Sequence, residues 1–498
     1  MGLKLGLSSV VSRMGSLDGR KSCKLVFRLL ITLFVGILMK NSFSLAASLP
    51  FEIRPSFQAL KAEFEDGRFV CRVSDFGATG NGEVYDTSAI QSSIDYCANQ
   101  GGGVVYVSPG ENLTGTLYLK SNITLWVDKG ATIVGSARQE DFLAHWTRWY
   151  TILAEDAENV ELTGGGIVTG QGLKFVVEFK EEKNIMVSWN VTGDCVGDEC
   201  RPRLVGFINC KNVHIWNVFL REPAYWCLHI VKSNIISIHD VSMHGDFNSP
   251  NTDGIDIDSS NNTVIKDCHI DTGDDAICSK SELGPLYNLT VTNCWIRTKS
   301  CAVKLGSMTN FNLGNLHFEQ LVIVDSHRGL GIQLRDSGNI NNVTYANIQM
   351  STRYYHPSWW GLAEPIYVSA CPRTPDTVLG SVNNVHYMNI TTTSENGIFL
   401  SGLEESFLKG LHFRNVKMTL ARSTNFTGGY HDYRPGCQGL VTHRMSGLFM
   451  EYVKDIWMQE VFVQWKGSNV SDWGLPIDFT PSTVGNMHLM NYENTYTV

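Results

Sequence analysis

Residues 244–281 read HGDFNSPNTDGIDIDSSNNTVIKDCHIDTGDDAICSKS, and two features of this stretch decide the fold. Ile255-Asp256-Ile257-Asp258 alternates apolar and polar residues, and Val264-Ile265-Lys266-Asp267-Cys268 follows as a second short segment. Alternation of that kind predicts half-buried strands, and the Gly, Asn and Asp clusters between them predict turns. Two such strand–turn units in succession bring Asp253, in an Asn-Thr-Asp-Gly turn, beside Asp274 and Asp275 of a Gly-Asp-Asp turn. Like charges brought together push their pKa values apart, so one carboxyl can hold a proton while its neighbour stays ionised. That is the acid and base pairing of glycoside hydrolysis. Solvated turn aspartates are the plainer alternative, since Asp is favoured in turns.

The same pattern recurs along the chain. Strand starts of the Asn-Val type stand at Asn212, Asn234, Asn262, Asn288, Asn315, Asn342 and Asn384, most of them 22 to 28 residues apart with one longer gap. A period in this range marks stacked supersecondary units. No unit carries a helical period, and the strict leucine pattern of leucine-rich repeats is absent. The expectation is an all-β, single-domain, right-handed parallel β-helix, with asparagines stacked in ladders at the turns and Val, Ile and Leu inside. A solenoid also accommodates residues 48–498 without a linker, because each repeat contacts only its neighbours. A short capping helix is expected just before the coils. Asp86 or Thr87 supplies its N-cap, Ala89, Ile90, Ser93, Ile94 and Cys97 form one face, and Gly101-Gly102-Gly103 stops it.

The first 47 residues read as a signal peptide. Lys21, Lys24 and Arg28 precede an apolar run from Leu29 to Met39, and Ser44-Leu45-Ala46-Ala47 follows. Secretion agrees with the cysteines: of 13, Cys23 falls in the leader, and an even number remains for disulfide pairing. Cys195 and Cys200 can clip a loop, while Cys268, Cys278 and Cys294 also suit buried thiols. Nine glycosylation sequons occur, at Asn112, Asn122, Asn190, Asn261, Asn288, Asn342, Asn389, Asn425 and Asn469. The net charge of −9 comes with no basic stripe for nucleic acid. No Cys/His spacing argues for zinc, and neither metal nor cofactor is expected.

With these motifs in place, the chain resembles the polygalacturonase-type enzymes of glycoside hydrolase family 28. The resemblance runs from Asp75-Phe76-Gly77-Ala78 through the coils to about residue 350. It rests on Asn251-Thr252-Asp253 and Gly273-Asp274-Asp275, which match the family's first two motifs in order and spacing. It implies inverting hydrolysis, with Asp274 as general acid and with Asp253 and Asp275 holding and deprotonating the water. An inverting pair stands about 6.5–9.5 Å apart, a separation that carboxylates on coils about 4.8 Å apart can reach.

The family's next two motifs are altered here. Ser300-Cys301-Ala302 stands where the family has Gly-His-Gly, and Gln333-Leu334-Arg335 where it has Arg-Ile-Lys. In the family these basic residues grip the galacturonate carboxylate, so the resemblance leaves the reaction class standing and the substrate open. Aligning Ala302-Val303-Lys304-Leu305-Gly306 with Gly331-Ile332-Gln333-Leu334-Arg335 stacks Lys304 on Gln333. On that register Lys304 supplies the missing cation, with Asn251, Lys280, Gln333 and Arg335 as further substrate-binding residues. Pairing of Lys280 and Lys304 with Asp256 and Asp258 is the structural alternative. His327 reads as a turn histidine or as a substitute for the lost one. The insertion from Tyr354 to Pro365 places Trp359 and Trp360 either beside a cleft, where their faces suit sugars, or against the coil wall.

The resulting expectation is a secreted, monomeric, cell-wall-directed hydrolase of acidic pectic polysaccharide, with no nucleic-acid partner and no stable membrane association. It attacks galacturonosyl linkages or those of a branched relative such as rhamnogalacturonan. A β-helix polysaccharide lyase and a catalytically silent carbohydrate-binding solenoid are the competing readings.

Overall fold

The computed structural model describes residues 67–498 except 143–147, 181–184, 189–200, 358, 468–472 and 498. The leader at 1–47, Cys195, Cys200, Asn190 and Asn469 lie outside the described residues. From Val70 onward the chain coils as stacked strands that form two long sheets, one of 21 strands and one of 12. The pairings between coils are parallel.

One coil shows how the sequence folds this way. Ile255–Asp258 lies in the smaller sheet, and Asn261–Lys266 and His269–Thr272 lie in the larger one. The next coil returns at Ile277–Ser281, with Ile255 against Ile277 and Ile257 against Ser279. Inward positions stack into columns: Leu228, Ile255, Ile277, Val303, Leu330 and Ile366 stand one above another. All six are fully buried, and each contributes roughly 1.5–3 kcal/mol by leaving water. An aromatic stack joins the aliphatic core: Phe318, Tyr345, Tyr387 and Phe413 lie ring on ring at 5.0, 5.1 and 4.8 Å.

The turns explain the repeating asparagines. Asn262, Asn288, Asn315 and Asn342 all have φ between 57° and 59°, a left-handed conformation that Asn tolerates better than most residues. Each amide then bonds the next: Asn288 donates to Asn262 at 2.9 Å, Asn315 to Asn288 at 3.2 Å and Asn342 to Asn315 at 2.8 Å. The ladders engage several sequons directly. Asn288, Asn342 and Asn389 donate their side-chain amides to the preceding rung, and Asn112 is buried, whereas Asn425 is exposed.

A helix forms over Thr87–Asn99 and buries Ile90, Ser93, Ile94 and Cys97, while Ala89 is only half-buried. Asp86 is its N-cap residue, as expected, but makes no side-chain capping bond. The Asp86 carboxylate accepts from the Thr79 and Gly80 amides at 2.7 and 3.0 Å, so it closes the preceding turn rather than the helix. The cysteines also depart from expectation. Among the described residues Cys371–Cys437 is a disulfide, but Cys71, Cys97, Cys210, Cys227, Cys268, Cys278, Cys294 and Cys301 are buried free thiols. Most belong to the main hydrophobic core, where a thiol packs as a small hydrophobe. An even count therefore did not mean pairing.

Candidate active site

The Asn-Thr-Asp and Gly-Asp-Asp turns meet through backbone and hydroxyl contacts. Thr252 Oγ1 donates to the Ser249 carbonyl at 2.9 Å and accepts from the Gly273 amide at 3.1 Å. Gly273 is required by this approach, since a Cβ there would stand 2.5 Å from the Asp246 carbonyl oxygen. Asn251 adopts φ 58°, so its amide donates to Asp274 Oδ2 at 3.0 Å, while Arg201 holds its side chain at 2.7 Å. The Asp275 amide donates to Asp274 Oδ1 at 2.9 Å.

One oxygen of each of Asp253, Asp274 and Asp275 lies within 4.8 Å of the other two. The expectation of about 6.5–9.5 Å is not met. Asp274 and Asp275 share one turn, and the Thr252–Gly273 contact folds the Asp253 turn onto it. The spacing of adjacent coils therefore does not set these distances.

Their surroundings separate the three carboxyls. Burial pushes Asp253 well above the ordinary carboxylate range, and the charges of Asp256, Asp274 and Asp275 push the same way. Asp274 is raised as well, by burial first and then by the Asp275 charge. For Asp275 burial also opposes ionisation, but Lys304, the Ser300 hydroxyl and Lys280 together outweigh it and hold the pKa below normal. Both Asp275 oxygens are engaged: Oδ1 by Ser300 Oγ at 2.7 Å and the Cys301 amide at 3.2 Å, Oδ2 by Lys304 Nζ at 2.5 Å. The trio is also the group of metal-ligating side chains that clusters among the described residues. At Asp275, however, the Lys304 ammonium already stands where a cation would bind.

A cleft of about 330 Å³ opens over the aspartates, within the size range of small-ligand sites. Asn251, Lys280, Lys304, Trp359 and Trp360 line it with them. The aromatic insertion divides its labour: Tyr354 stacks on Phe426 at 4.2 Å and Tyr355 packs on Phe247 at 5.5 Å, while the two tryptophans face the cleft. Trp360 is 44% exposed and Trp359 only 7%. Arg434 fixes the loop by donating to the Pro357 and Trp359 carbonyls at 2.7 and 3.0 Å.

The basic column needs correction. Lys304 stands opposite Gly331, not Gln333, and Gly306 stands opposite Gln333. The strand Arg328–Leu334 enters the sheet two residues earlier than the motif alignment assumed, with Cys301 against Arg328. The outward column is therefore His229, Asp256, Cys278, Lys304, Gly331 and Tyr367. Lys280 is buried and bonds Asp256 and the Cys278 thiol, with Trp226 4.4 Å away. Arg335 lies past the strand end and donates to the Cys371 and Pro372 carbonyls; it does not line the cleft. Gln333 lies deeper, beside a water-sized hollow of about 10 Å³ between Lys304, Arg328 and Tyr367. His327 is fully buried, is pushed down to about 3 by burial, and bonds the Gly361 carbonyl; it faces no aspartate of the site.

Sequence reasoning missed Ser300, Arg201 and Trp226 as site residues. The first stood in the text next to Cys301. The other two gave no signal, because Arg201 belongs to no motif and Trp226 precedes an ordinary strand.

Stacked parallel coils with an acidic cluster under an aromatic-walled cleft define a carbohydrate-active β-helix. The chain belongs to Glycosyl hydrolases family 28, whose model matches residues 105–430. It is 28% identical over 307 residues to a probable polygalacturonase of Vitis vinifera, a match covering 56% of this chain and 60% of that protein. It is 27% identical over 333 residues to an exo-poly-alpha-D-galacturonosidase of Dickeya chrysanthemi, covering 56% of this chain and 55% of that one. The match thus spans little more than half the length of these relatives. Among solved structures, the family 28 exopolygalacturonase of Yersinia enterocolitica superposes with a TM-score of 0.62 at 18% identity, covering 86% of this chain and 78% of its own. A hyperthermoactive exopolygalacturonase from Thermotoga maritima gives 0.60 at 22%, covering 71% and 87%. At these identities the structures establish the shared fold.

Proposed function

We propose that this chain is a secreted, monomeric glycoside hydrolase that cleaves α-1,4-galacturonosyl or related linkages of pectic polysaccharide by single displacement with inversion. The observation that carries the reading is the split between neighbouring carboxyls of one turn: Asp275 accepts from Lys304, Ser300 and Cys301, which lowers its pKa, while burial and the Asp275 charge raise that of Asp274. Such a split assigns acid and base. Asp274 gives its proton to the glycosidic oxygen, and Asp275 takes one from the attacking water. Asp253, shifted toward its neutral form, holds that water in place by hydrogen bonding. Both Asp275 oxygens already accept hydrogen bonds, which blunts attack on carbon yet leaves a base. Trp359 and Trp360 supply apolar faces for sugar rings, and Asn251, Lys280 and Lys304 contact or orient the substrate from the cleft wall.

The right-handed coil, the single domain over residues 48–498 and the end-covering role of the helix Thr87–Asn99 belong to the same reading. So do cell-wall localisation and the signal peptide. No helix among the described residues is long and apolar enough to cross a membrane. The test is incubation with pectic oligosaccharides, with products assayed for reducing ends and ultraviolet absorbance. Reducing ends without absorbance support hydrolysis, absorbance of an unsaturated uronate supports a lyase, and binding without products supports a silent solenoid.

A further inference from the structure

A hairpin far along the chain grips the cleft wall that carries Trp359 and Trp360. Its strands, Tyr430–Asp432 and Leu440–Thr442, pair antiparallel with each other and with no other strand among the described residues. From the loop between them Arg434 donates to the Trp359 carbonyl, 75 residues back in sequence, at 3.0 Å and to the Pro357 carbonyl at 2.7 Å. Asp432, fully buried, accepts from the Gly361 amide at 2.6 Å. The same carboxylate orients Arg434, accepting from its Nε at 2.8 Å and its Nη2 at 2.9 Å. Backbone groups on both sides of Trp360 are thus tied to two side chains of one hairpin.

The hairpin needs an anchor of its own, because an isolated two-stranded ribbon is marginally stable in water. Cys437, in its connecting loop, is bonded to Cys371, which directly follows the sheet strand Ile366–Ala370. A covalent link of this kind removes open conformations that the chain would otherwise explore. Two contacts with the same coils complete the seat. The Tyr367 hydroxyl donates to the Asp432 carbonyl at 2.9 Å, and Tyr433 packs edge-on against Phe399 at 5.1 Å. Asp432, Arg434 and the disulfide all stand outside the set of described residues that line the cleft with the aspartates.

We propose that the hairpin is a clamp that sets substrate affinity. Asp432 and Arg434 are positioning residues that keep Trp359 and Trp360 on the cleft wall, and the Cys371–Cys437 bond keeps the clamp closed. The proposal rests on the hydrolase reading for its ligand and adds a redox control to that cleft. A dithiol reductant opens the clamp: the protein S–S bond breaks, the dithiol is oxidised to its cyclic disulfide, and its two protons pass to the protein sulfurs. The acid and base stay in place, so binding weakens while the chemical step is kept.

Steady-state cleavage of an α-1,4-linked oligogalacturonide tests this, with wild-type protein before and after the dithiol and with Arg434→Met, Arg434→Lys and Cys437→Ser. Arg434→Met should raise KM about tenfold, the scale of the hydrogen bonds lost from the wall, with kcat within about twofold of wild type. A lysine reaches the wall only as a point charge, so Arg434→Lys should recover part of that loss. Cys437→Ser should match the reduced wild type and be insensitive to the dithiol. Acrylamide quenching of tryptophan emission needs no ligand: it should increase on reduction and in Arg434→Met, and Trp359→Phe should abolish the increase. An unchanged KM on reduction or in folded Arg434→Met, or a fall in kcat alone, would overturn the clamp. A wild-type protein that neither binds nor cleaves the oligomer would overturn the hydrolase reading, and the clamp then stands or falls on the quenching.

Discussion

The coils that carry Asp253 and Asp274–Asp275 and the coils that follow them share one strand geometry and differ in charge. In the first pair, three carboxyls are forced together by the Thr252–Gly273 contact and the excess negative charge is left to sort itself by pKa. In the second pair, the outward residues are Lys304, then Gly331, with Gln333 and Arg328 behind. Each cation there balances an acid. The comparison teaches that one scaffold can separate two tasks, with the candidate acid–base pair carried by two turns and the altered basic motifs by the next two coils.

The strongest way to break the comparison is at the first pair. Asp274→Asn cannot donate an acidic proton, so turnover should fall about 10²–10⁴-fold, with binding and thermal stability near wild type. Near-full activity in that variant would remove the acid assignment and leave the two coil pairs functionally alike.

Lys304→Met tests how the second pair acts on the first. Lys304 lowers both Asp275 and Asp274, so its removal raises both. The acidic limb of the pH–rate profile, set by ionised Asp275, and the alkaline limb, set by protonated Asp274, should both move to higher pH. For stability the sign follows from Asp275, whose folded pKa is depressed. Its contribution is present above the unfolded carboxyl pKa and is lost as pH falls through the folded value. Stability of Lys304→Met should therefore depend less on pH at the acidic end than that of wild type. An unchanged profile would mean that the ammonium does not set the ionisation of the pair.

Much of this was legible beforehand. The β-helix could be read because Asn tolerates left-handed turns and alternation fixes which face is buried, both local properties of the text. The aspartate cluster could be read because its two turns are short and self-contained. Register in the basic coils could not, since a strand's entry point depends on its neighbours, and Lys304 pairs with Gly331 where the motif alignment put Gln333. Ion pairing was legible in part: Lys280 does pair with Asp256, as the alternative reading had it, but Lys304 meets Asp275 instead of Asp256 or Asp258, across a coil boundary that no spacing rule marks. The disulfide expectation held for Cys371–Cys437 and not for the eight buried thiols, since interior thiols are indistinguishable in sequence from paired ones.

Smaller effects probe the shared scaffold. Asn288→Ala removes rungs to Asn262 and Asn315 and places a strained residue at φ 59°. It should cost about 1–2 kcal/mol in denaturant unfolding, with catalysis per folded molecule unchanged; no loss would show that the ladder is ornamental to stability. Chelators should have the smallest effect of all. With Lys304 serving as the cation at Asp275, activity after dialysis against a chelator should match the untreated protein, and a loss restored by a divalent ion would assign the three aspartates to a metal instead.

The central claim is single displacement by an acid and a base, and the closeness of the carboxyls, within 4.8 Å, makes it the claim most open to contradiction. Time-resolved NMR of the anomeric proton in freshly cleaved oligosaccharide tests it directly. Initial release of the inverted anomer, followed by slow mutarotation, is the predicted result. Initial release of the retained anomer would mean a covalent intermediate on one of these aspartates and would contradict the account.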